Sequence, residues 1–335
     1  MSISSKELAR ILNLSEAAIS MALNNKPGVS TTTRKKVIET ATQYGYDFTR
    51  KHNFNEFQTT KRNISLIIFK KHGAVVTDTP FFNQLTESIE QSCRKLYYQL
   101  QISYLYGDTD IEQQINSLSY YDGIILLATE MKKEDFHPFS RIKTPLVVLD
   151  TYYHDLNFDC ILINNLQGAY QATNFIIQKT KSQPGYLHSS YSIVNFDERS
   201  DGFYKAIRES GMSSSRSPVL SLTPSLDGAY HDMLDLLNHG EDPSRCYFAD
   251  NDLIAAGAMK ALKEKGYHIP DDVSIIGFDD MPFCTYIEPA LTTVSVPKQY
   301  MGEIAVKRLI EIIDRSDSYP LKIQISTTLV NRKSV

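Results

Sequence analysis

Four polar residues carry groups that can hydrogen-bond to neighbouring hydroxyls, and three of them follow apolar runs. Asp150 follows LVVL, Asn251 follows YFAD, Asp279 follows SIIGF, and Arg199 lies in NFDERSDGF. Carboxylates accept from hydroxyls, amides donate and accept, and a guanidinium donates in a planar fork. Because open α/β sheets bind ligands at the carboxyl ends of their parallel strands, these residues predict a polyol site there. The alternative is local, since Asp or Asn after a strand commonly caps the next helix.

Such a site would also need apolar side chains against the C–H face of a sugar ring. Phe82, Tyr152 and Tyr153 are the stacking candidates, and Asn195 is a further hydrogen-bonding candidate. Asp78 lies in the first loop between a strand and a helix of this region, where it could also reach a ligand. The chain has 20 Tyr, so any single Tyr can equally serve ordinary packing.

From residue 63 onward the sequence alternates between apolar runs and helical patterns. Strands are predicted at 64–69, 100–104, 123–128, 146–150, 161–163, 185–188, 219–222, 246–249 and 273–278, and helices at 81–95, 111–118, from 168, at 203–209, 229–238 and 253–265. Continuous apolar runs are typical of parallel strands covered on both faces. Two series of similar length predict an α/β fold of two doubly wound parallel-sheet lobes with a cleft between them. The N-lobe is predicted at 63–162 and 293–322, and the C-lobe at 163–292 and 323–335.

Residues 1–46 predict a small all-α domain of three short helices. Ser4 or Ser5, then Ser15 and Ser30, can cap the helix starts. The predicted inward-facing residues are Leu8, Ala9, Ile11 and Leu12, then Ala18, Ile19, Ala22 and Leu23, then Val37, Ile38, Ala41 and Tyr44. Two short helices joined by a tight turn match the helix-turn-helix plan of DNA-binding domains. A generic three-helix bundle is the alternative.

In a helix-turn-helix the second helix presents base-reading side chains at its start, here Ser15, Glu16, Ala17, Ser20 and Met21. Glu can accept from a cytosine amino group, and Ala can pack against a thymine methyl. Glu16 can equally stabilise the helix dipole. Phosphate contacts, which position a domain without reading sequence, are predicted for Asn24, Ser30, Thr32 and Arg34.

Charge is divided unevenly along the chain, whose net charge is −4. Residues 1–62 hold ten Lys/Arg and five Asp/Glu, and the remainder holds 25 basic and 34 acidic residues. The N-terminal segment, here called the head, is therefore basic, and the remainder, here called the body, is acidic. This division is typical of a chain in which only the head binds a polyanion. A solvated basic face would give the same composition.

Several other classes of protein find no support in the sequence. Cys93, Cys160, Cys246 and Cys284 lie far apart, which is typical of reduced core thiols rather than disulfides or metal ligands. There is no P-loop, no nucleophile elbow and no GxGxxG after the first body strand, so neither a cofactor nor an enzymatic activity is expected. The N-terminus lacks a signal-peptide pattern and no window resembles a membrane span. We therefore expect a cytoplasmic protein rather than a transport-type sugar-binding protein.

Three segments together resemble the LacI/GalR family of bacterial transcription regulators. Residues 4–46, SSKELARILNLSEAAISMALNNKPGVSTTTRKKVIETATQYGY, are similar to the family's VSxxTVSxALN, VSxxTRxxV and LGY. Residues 248–282 contain FADNDLIAAGAMKAL and IPDDVSIIGFDD, similar to the family's ND…A.G…AL…IP.D.S..GFDD. PALTTVSVPKQYMGEIAVKRL follows at 289–309.

This resemblance implies a body of periplasmic-binding-protein type I, a homodimer on a palindromic operator of double-stranded DNA, and a small effector between the lobes. The chain is then expected to repress carbohydrate-utilisation genes and to be released by a sugar. Asp150, Arg199, Asn251 and Asp279 align with ligand-contacting positions of the family. A purine effector or a phosphoprotein corepressor is the alternative within the same family.

The chain departs from the family pattern in two places. Met21 stands where many members carry Arg, so a guanine contact is not predicted there. Residues 47–62, the predicted hinge, match the usual PNxxAR.L poorly. In the family the hinge inserts an apolar side chain into the minor groove, a role that Phe54 and Phe57 could take. A flexible linker whose Phe residues pack on the body is the alternative.

Overall fold

The computed structural model describes residues 3–23, 28–44, 46, 62–71, 73, 75–76, 80–107, 111–315 and 319–335. The chain divides into two compact units, residues 1–61 and residues 62–335. Apart from Arg62, the predicted hinge with Phe54 and Phe57 lies outside the described residues, and so do Asn24 and Asp78.

The first unit consists of three helices, α1 (Ser5–Leu12), α2 (Glu16–Leu23) and α3 (Thr31–Gln43). Each predicted serine cap is present. The hydroxyl oxygens of Ser4, Ser15 and Ser30 accept from the main-chain N–H groups of Glu7 (3.3 Å), Ala18 (3.1 Å) and Thr33 (3.1 Å). These bonds satisfy N–H groups that a helix start leaves without an intrahelical partner, which explains where the three helices begin.

The core of this unit is smaller than the sequence pattern predicts. It buries Leu8, Ala9, Ile19, Ala22, Val37 and Ala41. The prediction was wrong for Ile11, Ile38 and Tyr44, which are exposed because three short helices enclose only one narrow face of each. Tyr46 packs against this core instead, and its hydroxyl lies 3.1 Å from the Ser5 Oγ.

The second unit alternates strands and helices. Its strands are β1 (Asn63–Lys70), β2 (Gln99–Tyr106), β3 (Gly123–Leu127), β4 (Leu146–Leu149), β5 (Asp159–Ile163), β6 (Gly185–Ser189), β7 (Val219–Leu222), β8 (Cys246–Ala249), β9 (Ser274–Ile276), β10 (Thr293–Ser295), β11 (Lys322–Ile325) and β12 (Thr328–Val330). Its helices are α4 (Pro80–Lys95), α5 (Ile111–Ile115), α6 (Asn165–Thr180), α7 (Val194–Glu209), α8 (Leu226–Asn238), α9 (Asp252–Glu264) and α10 (Lys298–Asp314). No helix among the described residues combines the length and the apolar character needed to cross a bilayer.

Two parallel sheets organise this unit, which confirms the predicted fold class. The N-lobe sheet has the order β11-β5-β4-β3-β1-β2, and the C-lobe sheet has the order β7-β6-β8-β9. Alternate residues of β1 enter different clusters: Leu66 and Ile68 pack on one face of the sheet, and Ile67 and Phe69 pack on the other. Both faces are therefore covered, as continuous apolar runs require.

The predicted boundaries between the lobes need correction near the C-terminus. Residues 323–335 were expected in the C-lobe. The strand Lys322–Ile325, which covers the start of that range, instead pairs in parallel with β5 of the N-lobe sheet. Thr293–Ser295 was expected in the N-lobe, but it pairs antiparallel with Thr328–Val330. Bridges at Ile276 and Asp279 join it to the C-lobe. These strands are only three or four residues long, which is too short for an alternating pattern to be recognised.

Helix α7 begins at Val194, nine residues before the predicted start at residue 203. The segment was misread because it is polar and contains Gly202, which is unfavourable inside a helix. In the structure a Cβ at Gly202 would lie 2.4 Å from the Leu166 carbonyl oxygen. Glycine is therefore what allows α7 to pack tightly against α6. As a result, Arg199 lies within a helix and not at its start.

Candidate functional site

A cavity lies between the N-lobe and the C-lobe. Its walls are formed by Val75, Phe81, Phe82, Thr129 and Asp150 from the N-lobe, and by Ile193, Asn195, Phe196, Arg199, Pro224, Asn251, Leu253, Asp279 and Met281 from the C-lobe. Six of the eight residues predicted for ligand contact line it: Phe82, Asp150, Asn195, Arg199, Asn251 and Asp279. The structure thus brings together residues that are up to 197 positions apart, at the carboxyl ends of both sheets.

Arg199 is the central cation of this cavity and is 4% exposed. Its Nε donates to the Asn165 Oδ1 at 2.9 Å, and its Nη2 lies 3.4 Å from the Asp279 Oδ1. Its Nη1 donates to the Asp250 carbonyl oxygen. The guanidinium also lies 3.8 Å from the centre of the Phe278 ring. Three directions of hydrogen bonding and one stacked face fix its orientation, so the guanidinium is held in place before any ligand binds.

Asp150 is the carboxylate of the N-lobe side, directly after β4. Its backbone has φ +71°, a left-handed conformation in which Asp and Asn are among the tolerated residues. The Thr129 hydroxyl donates to its Oδ2 at 2.7 Å. Burial raises the pKa of Asp150 to about 6, against the opposing effects of the Thr129 hydrogen bond and the Arg199 charge. The folded protein therefore destabilises the ionised form of Asp150, because burial removes the water that would solvate its charge.

Asp279 is the carboxylate of the C-lobe side, and its backbone also lies in the left-handed region, with φ +112°. Burial raises its pKa, while the charges of Arg199 and Lys298 lower it. The ammonium group of Lys298, at the start of α10, donates to the Asp279 carbonyl oxygen. The two carboxylates and Arg199 thus form one electrostatic group whose members come from both lobes.

Three amide side chains complete the polar wall around Arg199. The Asn165 side chain donates to the Asn195 Oδ1 at 3.3 Å while accepting from Arg199. Asn251 caps α9 by accepting from the Ile254 N–H at 2.8 Å, and it also lines the cavity. Both sequence interpretations of Asn251, helix cap and cavity residue, therefore hold for the same side chain.

The apolar wall of the cavity differs in part from expectation. Phe82 lines it as predicted, together with Phe81, whose ring lies edge-on to Phe82 at 4.9 Å between centroids. Tyr152 does not line the cavity; its ring lies 5.3 Å from the Lys322 ammonium. Tyr153 donates to the Met131 carbonyl oxygen at 3.1 Å. Both tyrosines come after Asp150 and pack against the N-lobe cluster that contains Ile67 and Phe69.

Sequence reasoning missed Thr129, Phe81, Phe196 and Met281 among the cavity residues. Thr129 follows the predicted strand at 123–128 in the same way that Asp150 follows its strand, so the strand-end rule could have found it. Phe196 and Met281 lie next to predicted residues but face the cavity because of helix and loop geometry that the sequence does not reveal.

The cavity residues can bind a polyol but form no group suited to holding a metal. Among the residues that the structure describes, no cluster of three His, Cys, Asp or Glu could ligate a metal ion. The carboxylates of Asp150 and Asp279 accept hydrogen bonds, and Arg199 and Asn195 can donate them. A lining that combines aromatic rings with polar side chains matches a ligand with a C–H face and a hydroxylated edge.

The first unit presents the predicted DNA-reading residues at its surface. Ser15, Glu16, Ala17 and Ser20 are exposed along the start of α2, and Ser30 and Thr32 are exposed at the start of α3. Arg34 and Met21 are half-buried. A Cβ on Gly28 would lie 3.0 Å from the Met21 sulfur, so Met21 packs against this loop residue.

Comparison with known proteins identifies relatives over nearly the full chain. A family model described as a periplasmic binding protein-like domain matches residues 185–335. The HTH-type transcriptional regulator GalR of Escherichia coli (strain K12) is 29% identical over 335 residues, which cover 98% of this chain and 95% of the relative.

Two solved structures share the fold. A transcriptional regulator CelR–cellobiose complex has a TM-score of 0.73 at 20% identity and covers 99% of this chain and 100% of that chain. The lac repressor dimer bound to operator and the anti-inducer ONPF has a TM-score of 0.69 at 18% identity and covers 100% of this chain and 99% of that chain. These relatives and neighbours are transcription regulators, not enzymes.

Proposed function

Because this chain belongs to the LacI/GalR family of bacterial transcription regulators, we propose that it is a repressor of carbohydrate-utilisation genes. As a homodimer it holds a palindromic operator through residues 1–46, and a neutral sugar bound between the lobes of each body releases it. The protein acts on chromosomal DNA in the cytoplasm and catalyses no reaction.

The observation that carries this proposal is the charge arrangement of the cavity. Asp150 and Asp279 face it from opposite lobes, and the nitrogens of Arg199 already donate to Asn165, Asp250 and Asp279. The cavity thus offers two carboxylates that accept hydrogen bonds, while most of the hydrogen-bonding capacity of Arg199 is already used within the protein. This arrangement favours a ligand that donates hydroxyl hydrogen bonds and carries no negative charge. A uronate or sugar phosphate would place its anion against two buried carboxylates at a high desolvation cost.

The location of the cavity supports control of DNA binding by the same ligand. Asp150 belongs to the N-lobe and Arg199 to the C-lobe. A ligand can therefore contact both residues at once only when the two lobes have one particular orientation relative to each other. A ligand shifts a conformational equilibrium only by its difference in affinity for the two states. We infer that the sugar-bound orientation is the one in which the two heads of a dimer no longer fit the operator.

For the head we propose that Glu16, Ala17 and Ser20 contact base edges, and that Ser30, Thr32 and Arg34 contact phosphates. Exposure of the first three at the start of α2 supports this assignment. Met21 packs on Gly28 and offers no hydrogen bond to a guanine. The lac repressor dimer, whose solved structure is bound to operator, shares the fold over the whole chain.

The proposal is tested by a thermal-shift panel of the full-length protein. We expect a neutral mono- or oligosaccharide to raise the melting temperature, because a ligand present at 100 times its Kd stabilises the native state by about 2.7 kcal/mol. Uronates and sugar phosphates of the same ring configuration should give no shift. A shift with anionic sugars only, or with purine bases and no sugar, would contradict the proposed effector class.

A further inference from the structure

Glu130 is a buried carboxylate that binds several main-chain N–H groups of one loop. It lies just beyond β3 and is 4% exposed. Its Oε2 accepts from the N–H groups of Lys71 at 2.7 Å and Gly73 at 3.2 Å. Its Oε1 accepts from those of Val75 at 2.9 Å and Val76 at 2.8 Å. Among the described residues of this loop, four main-chain donors thus converge on one side chain.

This loop connects β1 to α4 and forms part of the N-lobe wall of the cavity. Val75 lines the cavity, and α4 begins with the ring pair Phe81 and Phe82. On the other side of Glu130, its chain neighbour Thr129 also lines the cavity and donates to Asp150. Glu130 therefore links two segments that both contribute cavity residues, although it does not line the cavity itself.

The donor arrangement calls for an anion. Closely spaced main-chain N–H groups that point inward create a concave site of positive potential, and such sites in proteins bind anions. A carboxylate accepts on both oxygens. A carboxamide of the same shape has one accepting oxygen, so its NH₂ group would face two of the N–H groups and leave them unpaired.

We propose that the main-chain N–H groups of Lys71, Gly73, Val75 and Val76 form an anion site that the protein fills with its own Glu130, and that this side chain positions the N-lobe wall of the effector cavity. The wall is then ordered before a ligand arrives, which reduces the entropy cost of binding. This last consequence rests on the proposed function, whereas the ordering of the loop does not.

Glu130→Ala offers a direct test, because it removes a CH₂–COO⁻ fragment that acetate closely matches. Hydrogen exchange of the full-length protein, read by mass spectrometry, should show about tenfold faster exchange in residues 71–76, because buried donors lose a charged acceptor. Acetate should restore slow exchange, and acetamide or sodium chloride at equal ionic strength should not. Glu130→Gln should also exchange faster than the wild type despite its equal volume, but less fast than Glu130→Ala, because its one amide oxygen still accepts from two of these N–H groups.

The matched control is Glu134→Gln, an exposed glutamate four residues away, which should leave exchange unchanged. Unchanged exchange in both Glu130 variants would overturn the proposal. So would faster exchange spread evenly over β3 and β4 without acetate rescue, since that pattern marks a general stability role. With the sugar found by thermal shift, Glu130→Ala should weaken binding and acetate should recover it. If no sugar is found, the exchange result still decides the role of Glu130.

Discussion

Replacing Arg199 with methionine is expected to cost about 3–5 kcal/mol in the free energy of unfolding, the usual effect of removing one partner of a buried charge network. The variant removes the guanidinium that lies against the Asp279 carboxylate, together with the donors to Asn165 and to the Asp250 carbonyl oxygen. It should also abolish the sugar-dependent thermal shift. Lysine should not rescue either property, because one ammonium cannot donate along three fixed directions and stack on Phe278.

Urea denaturation at pH 7 measures the stability change, and the sugar panel measures binding. Arg208→Met provides the matched control, since Arg208 lies in the same helix and is exposed. Its effect should stay within about 0.5 kcal/mol. An Arg199→Met protein that loses less than about 1 kcal/mol and still responds to the sugar would show that this network neither stabilises the C-lobe nor forms the site.

Replacing Asp150 with asparagine is expected to have the opposite effect on stability while also abolishing the sugar response. Asparagine tolerates the left-handed backbone and keeps an acceptor for the Thr129 hydroxyl, so mainly the charge is lost. Burial raises the pKa of Asp150 from 3.8 to about 6, which means that the fold disfavours the ionised form. At pH 7 the variant should therefore be more stable than the wild type by about 1–3 kcal/mol.

The pH dependence provides the more stringent readout. Well below pH 3.8, the ordinary pKa of Asp, the carboxyl is protonated in both the folded and the unfolded chain, so no penalty exists. Between pH 4 and pH 6 the unfolded chain ionises first, and the wild type loses unfolding free energy relative to Asp150→Asn. The difference between the two proteins, measured by urea denaturation, should be flat above that range. A difference that is independent of pH, or a variant less stable at pH 7, would contradict a burial penalty on Asp150.

These two residues also illustrate how far the sequence predicts the site. Asp150 and Asp279 follow apolar runs, and the strand-end rule placed both correctly at the cavity. Tyr152 was misplaced because a side chain three residues beyond the strand end can turn to either side of the sheet. Glu130 could not have been found, since its role depends on main-chain N–H groups 54–59 positions away.

The fold was predicted where a pattern is long and local. Continuous apolar runs located the strands that form the centre of both sheets, such as β3 and β8, because burial on both faces demands such runs. Strands β10, β11 and β12 were missed, since their pairing partners lie far along the chain and their own residues are half polar. In the head, Ile11 and Ile38 have helical spacing toward the core but remain exposed, because the neighbouring helices are too short to cover them.

The central claim is that one sugar in the body changes the affinity of the head for DNA. It is tested most directly by fluorescence anisotropy of the full-length protein on a duplex that it has selected from random sequence, with and without the sugar found by thermal shift. We expect operator affinity to fall about 5–150-fold at saturating sugar, and operator to weaken sugar binding by the same factor. Equal operator affinity with and without bound sugar would contradict the claim, and so would a folded protein that binds no duplex DNA at low ionic strength.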